Sequence, residues 1–213
     1  MNYKEERIKD KKNELALIAE KSVSESGLLA SNEDVHQIAT KIIDNFTRIT
    51  APEPPEHKMY MTTIRHFSGG FSGQNLKPGN ISLNMSNIMY AVTNGALAFS
   101  GAMTGAISPR IACVFAAMVL WKDLYSSVKV DLSEKEALVL YTLWDEKDED
   151  NCVPKHNLLV KTNETAKVFG GRELSELELD DCLRKLCQIS CIKQSSSDES
   201  KWWLRERVRV TFH

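Results

Sequence analysis

The chain has 213 residues, with 27 Lys and Arg against 29 Asp and Glu, a formal charge of −2 and 42% hydrophobic residues. That is enough apolar material for a real core in one or two domains. Five cysteines, an odd number in a chain of this size, exclude a small disulfide-stapled fold, and the charged stretch 1–12 lacks the apolar run of a secretory signal, so a reducing cytoplasm is the expectation.

Two helical segments are predicted at the start, over residues 3–24 and 32–49. In the second, Val35, Ile38, Ala39, Ile42, Ile43, Phe46 and Ile49 recur at three- and four-residue steps, and Ser31 with Asp34 offers an N-terminal cap. Such a stripe packs on its own domain, docks on a partner or dimerises. Residues 51–57, with Pro52, Pro54 and Pro55, read as a stiff extended connector.

Residues 59–67 and 80–85 have the short alternating pattern of two strands around the glycine-rich stretch 68–73. That stretch lacks the Lys and Ser/Thr of a phosphate-binding loop, so a hairpin connection is expected. Residues 87–121 form an apolar block with one formal charge, Arg110, broken at Ser108 and Pro109. Two close-packed helices fit it, the second running from Ile111 to about Tyr125. Gly95, Gly101 and Gly105 are the candidate helix-packing positions in the first, where small residues let backbones approach. The second is too short to cross a hydrocarbon core of roughly 30 Å, and Lys122 and Asp123 follow it, so burial is expected over membrane insertion.

In the last segment Ser133 and Glu136 have the spacing of a capping box, and Ala137, Leu138, Leu140, Tyr141, Leu143 and Trp144 form one helical face. The acidic run 145–150 reads as a solvated loop. A second helix is predicted over residues 156–169, with a break near Thr162 and a stop at Gly170 and Gly171. Ser175 and Glu178 make another capping box, opening a third helix with the stripe Leu179, Cys182, Leu183, Leu186 and Cys187. Residues 192–194, a polar tip over 195–200 and one long strand over 201–212 complete the segment. In that strand Leu204, Val208, Val210 and Phe212 fall on one face and Trp203, Arg205, Arg207 and Arg209 on the other.

Three helices followed by a hairpin resemble the winged helix-turn-helix superfamily, over residues 131–213. The resemblance implies a third helix that enters the DNA major groove in many members, with the wing against the backbone. This third helix departs from that habit, because Glu176, Glu178, Asp180 and Asp181 occupy its first turns, where a DNA reader presents donors and cations. From Asp131 onward 13 Lys and Arg stand against 17 Asp and Glu, an unfavourable balance for binding driven by counterion release. Protein recognition fits better. The row Trp203, Arg205, Arg207 and Arg209 admits three readings: a solvated outer face, a grip on phosphate, or a contact with an acidic protein.

Catalytic constellations are scarce. Cys182, Cys187 and Cys191 lack paired zinc-knuckle spacing, and Cys152 and His156 join them only through an unforeseen tertiary approach. His36, His57 and His66 stand in no motif with a nucleophile or acid. The expectation is an α+β, mostly helical, non-enzymatic protein without cofactor or metal. Its divisions are a helical arm (1–50), a proline-rich linker (51–57), a middle unit with a β-hairpin and helix pair (58–130) and a winged helix (131–213). It is expected to act as an adaptor or accessory subunit docking on other proteins, through Glu176, Asp180, Asp181, Trp203, Arg205, Arg207 and Arg209, with the N-terminal stripe as a second contact. The alternatives are a DNA-binding regulator that uses the arginine-bearing wing and a membrane-active effector built on residues 87–121; self-association is compatible with each.

Overall fold

The computed structural model describes residues 3–25, 32–51, 80–94, 108–125, 129–196 and 198–211. Among these the fold is mixed α+β and mostly helical, with two three-stranded sheets. Helices α1 (Tyr3–Glu25) and α2 (Asn32–Phe46) pack on each other and bury Leu15, Ala19, Val35, Ile38, Ala39, Ile42 and Ile43. The α2 stripe is therefore spent inside the molecule, and the expected second docking contact through it is corrected: Ile38, Ala39 and Ile42 are fully buried and offer a partner no surface. The helix is also shorter than its periodicity predicts. At Thr47 the chain becomes strand β1 (Thr47–Ile49), where β-branched Thr47 and Ile49 suit a pleated surface.

Strand β2 (Asn80–Asn84) is present as expected, but its neighbours differ from the expected hairpin. It pairs antiparallel with β1 on one side and with β6 (Arg207–Thr211) on the other. The predicted partner strand 59–67, the glycine-rich stretch 68–73 and the proline-rich connector from Pro52 on lie outside the described residues. Asn84 ends β2 and caps α3 (Met85–Thr93), its side chain accepting the Asn87 backbone N–H at 3.1 Å. The remainder of the predicted first helix, with Gly95, Gly101 and Gly105, is outside the described residues.

Helix α4 (Pro109–Tyr125) is the centre of the molecule. Ser108 Oγ accepts the Arg110 N–H at 3.3 Å, and Pro109 occupies the first turn, where its missing N–H leaves no hydrogen bond unmade. Residues 111–118, Leu120 and Trp121 are buried on every side, because α1, α3, α5 (Glu134–Asp145) and β6 surround the helix. No helix among the described residues is long and apolar enough to cross a membrane.

The C-terminal segment starts with α5, whose capping box forms as predicted: Glu136 accepts the Ser133 N–H at 2.7 Å, and Ser133 caps the first turn. A short strand missed by the sequence reading, β3 (Cys152–Pro154), precedes α6 (Lys155–Val168), which runs through Thr162 without the expected break. Thr162 is fully buried there. Gly170, at φ 73°, takes the left-handed conformation that stops α6. Helix α7 (Glu176–Gln188) follows its Ser175–Glu178 capping box, and β4 (Ile192–Gln194) and β5 (Lys201–Leu204) close the second sheet in the order β3-β5-β4.

The long strand predicted over 201–212 is two strands in two sheets, which corrects the single arginine row. After Leu204 the Arg205 N–H donates to the Cys191 carbonyl at 2.8 Å, closing off the β4–β5 hairpin. The Glu206 carbonyl then accepts the Met85 N–H at 2.8 Å, and β6 goes on to pair with β2. The first sheet thus takes β1, β2 and β6 from the three expected divisions of the chain, and buried residues from Leu15 to Leu204 form one continuous core.

Candidate functional site

Helix α7 owes its orientation to an apolar inner face. Leu179, Cys182, Leu183 and Leu186 are buried against α5, while Glu176, Leu177, Asp180 and Arg184 face outward. Leu177 is 81% exposed, an apolar side chain at the middle of a charged rim. It shares a shallow depression with Glu178, Asp180, Asp181 and Arg184.

Every carboxylate of that rim has a cation beside it. Lys155, at the start of α6, lies 2.6 Å from Asp180 and 3.5 Å from Glu176, and the hydrogen bond to Asp180 raises its pKa. Asp181 pairs with Lys185 at 3.2 Å and with Arg184, and its carboxyl is held below the usual range first by the Lys185 hydrogen bond. Glu178 accepts Lys135 at 2.8 Å and the Ser175 backbone N–H at 2.9 Å, and these two contacts, the lysine first, pull its pKa down to about 2. Glu176, Asp180 and Asp181 therefore stand together at the surface as predicted from the helix pattern, yet as members of ion pairs. Exposed pairs of this kind are worth about 0–1 kcal/mol and exchange partners readily.

Beneath the rim Glu136 is 1% exposed and ties α5 to α7: its Oε1 lies 3.0 Å from Lys185 Nζ and 3.6 Å from Cys182 Sγ, and its Oε2 takes the Ser133 N–H and hydroxyl. Lys185 thus joins the buried Glu136 to the surface Asp181. Sequence reading took Glu136 as a capping residue alone; nothing in the local pattern says that a residue of α7 reaches it.

The β4–β5 hairpin places Trp203 differently from its expected arginine companions. In β5 it lies across from Lys193 of β4 and Cys152 of β3, and Lys193 Nζ sits 3.6 Å above its ring, within cation–π range. A cleft between the turn before β3 and the tip of the β4–β5 hairpin brings Trp203, Lys193 and Lys201 together with Asp150 and Asp198. Lys201 also pairs with Asp148 at 3.7 Å, so the cleft carries both signs of charge. Arg205 is in the crossover between the sheets, and Arg207 and Arg209 are in β6, which belongs to the other sheet.

The thiols are poor nucleophiles at neutral pH. Burial pushes Cys113 and Cys182 up to about 12 and Cys191 well above its ordinary value, and half-buried Cys187 is also raised. Among the described residues no group of three His, Cys, Asp or Glu side chains is arranged to hold a metal ion. His36 Nδ1 lies 2.6 Å from Glu20, His156 is exposed on α6, and His57 and His66 are outside the described residues. No family model, curated protein or solved structure matches the chain.

Proposed function

We propose that residues 131–204 form a winged-helix-like docking module and that the protein is a non-catalytic, cytoplasmic adaptor or accessory subunit that holds another polypeptide on the outer face of α7. The element order supports the module: three helices, with a short strand after the first, precede a hairpin that joins that strand in a sheet. The observation that carries the docking reading is Leu177, 81% exposed in a depression that it shares with Glu178, Asp180, Asp181 and Arg184. An apolar anchor inside a charged, water-accessible rim is the anatomy of a protein interface. A duplex of phosphates gains nothing from Leu177 and is repelled by the carboxylates around it.

The fitting partner is a segment with one apolar side chain to cover Leu177 and flanking Lys or Arg to take over Asp180 and Glu176 from Lys155. The wing reading of DNA binding is weaker for the loss of Arg207 and Arg209 to the other sheet. The test is affinity capture from the native cell with the wild-type chain and with Leu177→Asp, followed by binding measurements on the purified pair. A stoichiometric partner whose affinity falls at least 10-fold with Leu177→Asp, while the variant's thermal melt is unchanged, is the expected result. Equal recovery by both chains, or no stoichiometric partner for the wild type, sinks the reading.

A further inference from the structure

The sheet β3-β5-β4 ends differently on its two sides. On the β3 side the Lys155 N–H donates to the Ser200 carbonyl at 2.8 Å. Antiparallel alternation then makes Val153–Trp202 a hydrogen-bonded pair and turns the backbone groups of Cys152 and Pro154 away from β5. Those outward groups are already used. The Cys152 N–H donates to Asp148 Oδ1 at 2.9 Å, the Cys152 carbonyl accepts the Asp148 N–H at 3.0 Å, and Pro154 has no N–H to offer.

On the β4 side the Arg205 N–H donates to the Cys191 carbonyl at 2.8 Å and the Ser195 N–H to the Lys201 carbonyl at 2.9 Å. Lys193, opposite Trp203, is the hydrogen-bonded position between them. The same alternation therefore turns the N–H and C=O of Ile192 and of Gln194 outward, the two residues being about 7 Å apart along the strand. Among the described residues these four groups make no hydrogen bond. Lys193 and Gln194 are exposed, whereas Ile192 is 2% exposed and lies across from the buried Leu204.

We infer that the outer edge of β4 takes an extended peptide of a partner protein as a fourth, antiparallel strand, with an acidic residue opposite Lys193. In strand addition the main-chain bonds supply the attachment and alternate side chains choose the partner. A strand bonded to Ile192 and Gln194 sets the residue between its bonding positions directly across from Lys193, with Cβ atoms about 5 Å apart, where a carboxylate is favoured and a cation is not. Lys193 is held for that contact, because its Nζ rests over the Trp203 ring. A second copy of the chain is disfavoured: the register that joins two β4 edges through all the outward groups sets the two Lys193 side chains against each other. A short strand bearing a lysine also keeps indiscriminate partners off an edge, so Lys193 repels basic strands and admits acidic ones. This edge shares no residue with the outer face of α7, and its peptide is opposite in charge to the segment that fits Leu177.

Amide hydrogen exchange followed by NMR on the full chain tests the inference. In the chain alone the Ile192 and Gln194 amides are expected to exchange about 100-fold faster than the Lys193 amide, which the ladder protects. The probe is a capped heptapeptide of alternating valine and glutamate at about 1 mM, enough to half-fill a site of similar Kd. It is expected to slow both edge amides, and the same peptide with lysine for glutamate to leave them unchanged. N-methylation of the valines, which face the edge, abolishes the effect, whereas N-methylation of the glutamates does not. Gln194→Pro removes one edge donor without touching the β4–β5 ladder and is expected to abolish peptide binding; Lys193→Glu moves the preference to the lysine peptide. Leu177→Asp leaves this binding unchanged, so failure here is distinguishable from failure of the docking reading. Slow exchange of the Ile192 and Gln194 amides in the chain alone overturns the inference, whether another segment or a second copy occupies the edge. So does an absent response to the glutamate peptide, an equal response to the lysine peptide, or indifference to valine N-methylation. The wild-type measurements decide the matter even if a variant fails to fold.

Discussion

Glu136 is the residue on which the α5–α7 junction turns. A carboxylate so fully withdrawn from water is stable only when its oxygens are occupied, and Ser133, Lys185 and Cys182 occupy them. Glu136→Gln keeps the shape but removes the charge facing Lys185, and we expect it to lower unfolding stability by about 1–3 kcal/mol in urea titrations. A change within a few tenths of a kcal/mol would show that the lysine is held by Asp181 alone. Glu178, at the surface above it, gives a pH signature. Its folded pKa of about 2 lies below its ordinary 4.5, so the stabilising contribution of its contacts is complete above pH 4.5 and drains away as pH falls toward 2. A carboxyl NMR titration is expected to place its midpoint near 2, and Lys135→Met to move that midpoint up, since the lysine is the largest cause of the depression.

Helices carry their signals locally, and those signals were legible. Both capping boxes, Ser133 with Glu136 and Ser175 with Glu178, start their helices where the sequence places them, and Gly170 stops α6. The acidic outer face of α7 was legible for the same reason: a single helix turn fixes which residues share a side. Strand partnership is non-local and was not. Leu204, Val208 and Val210 keep one parity through the crossover, and neither proline nor glycine marks Arg205 and Glu206, so two strands in two sheets read as one. Thr47–Ile49 was absorbed into the preceding helix because its apolar positions continue the helical step, although β2 recruits it into a ladder. The exposed Leu177 was missed outright, since one leucine off the buried stripe has no pattern to announce it.

Over the whole molecule, α4 makes the C-terminal segment dependent on the rest. Trp121 is fully buried, and its Nε1–H donates to the Ile189 carbonyl at the end of α7, 3.0 Å away. Ile111 packs by the α5–α6 interface, close to Leu138 and Phe169. A fragment of residues 131–213 loses that helix and leaves β6 without β2. We expect it to show no cooperative transition in scanning calorimetry, whereas the full chain melts in one. A fragment that melts sharply at the temperature of the full chain would show that the continuous core is a packing contact between self-sufficient units.

The two ladders of β2 form on different clocks. β1 is the nearer neighbour in the chain, whereas the pairing of Asn84 with Arg207 closes a loop that contains α3 to α7 and the whole second sheet. Closing so large a loop is entropically late, which makes this step slow compared with the helix contacts. During synthesis β2 waits with one edge unsatisfied until the ribosome has made β6, and for that interval the nascent chain offers a site for strand addition by other chains.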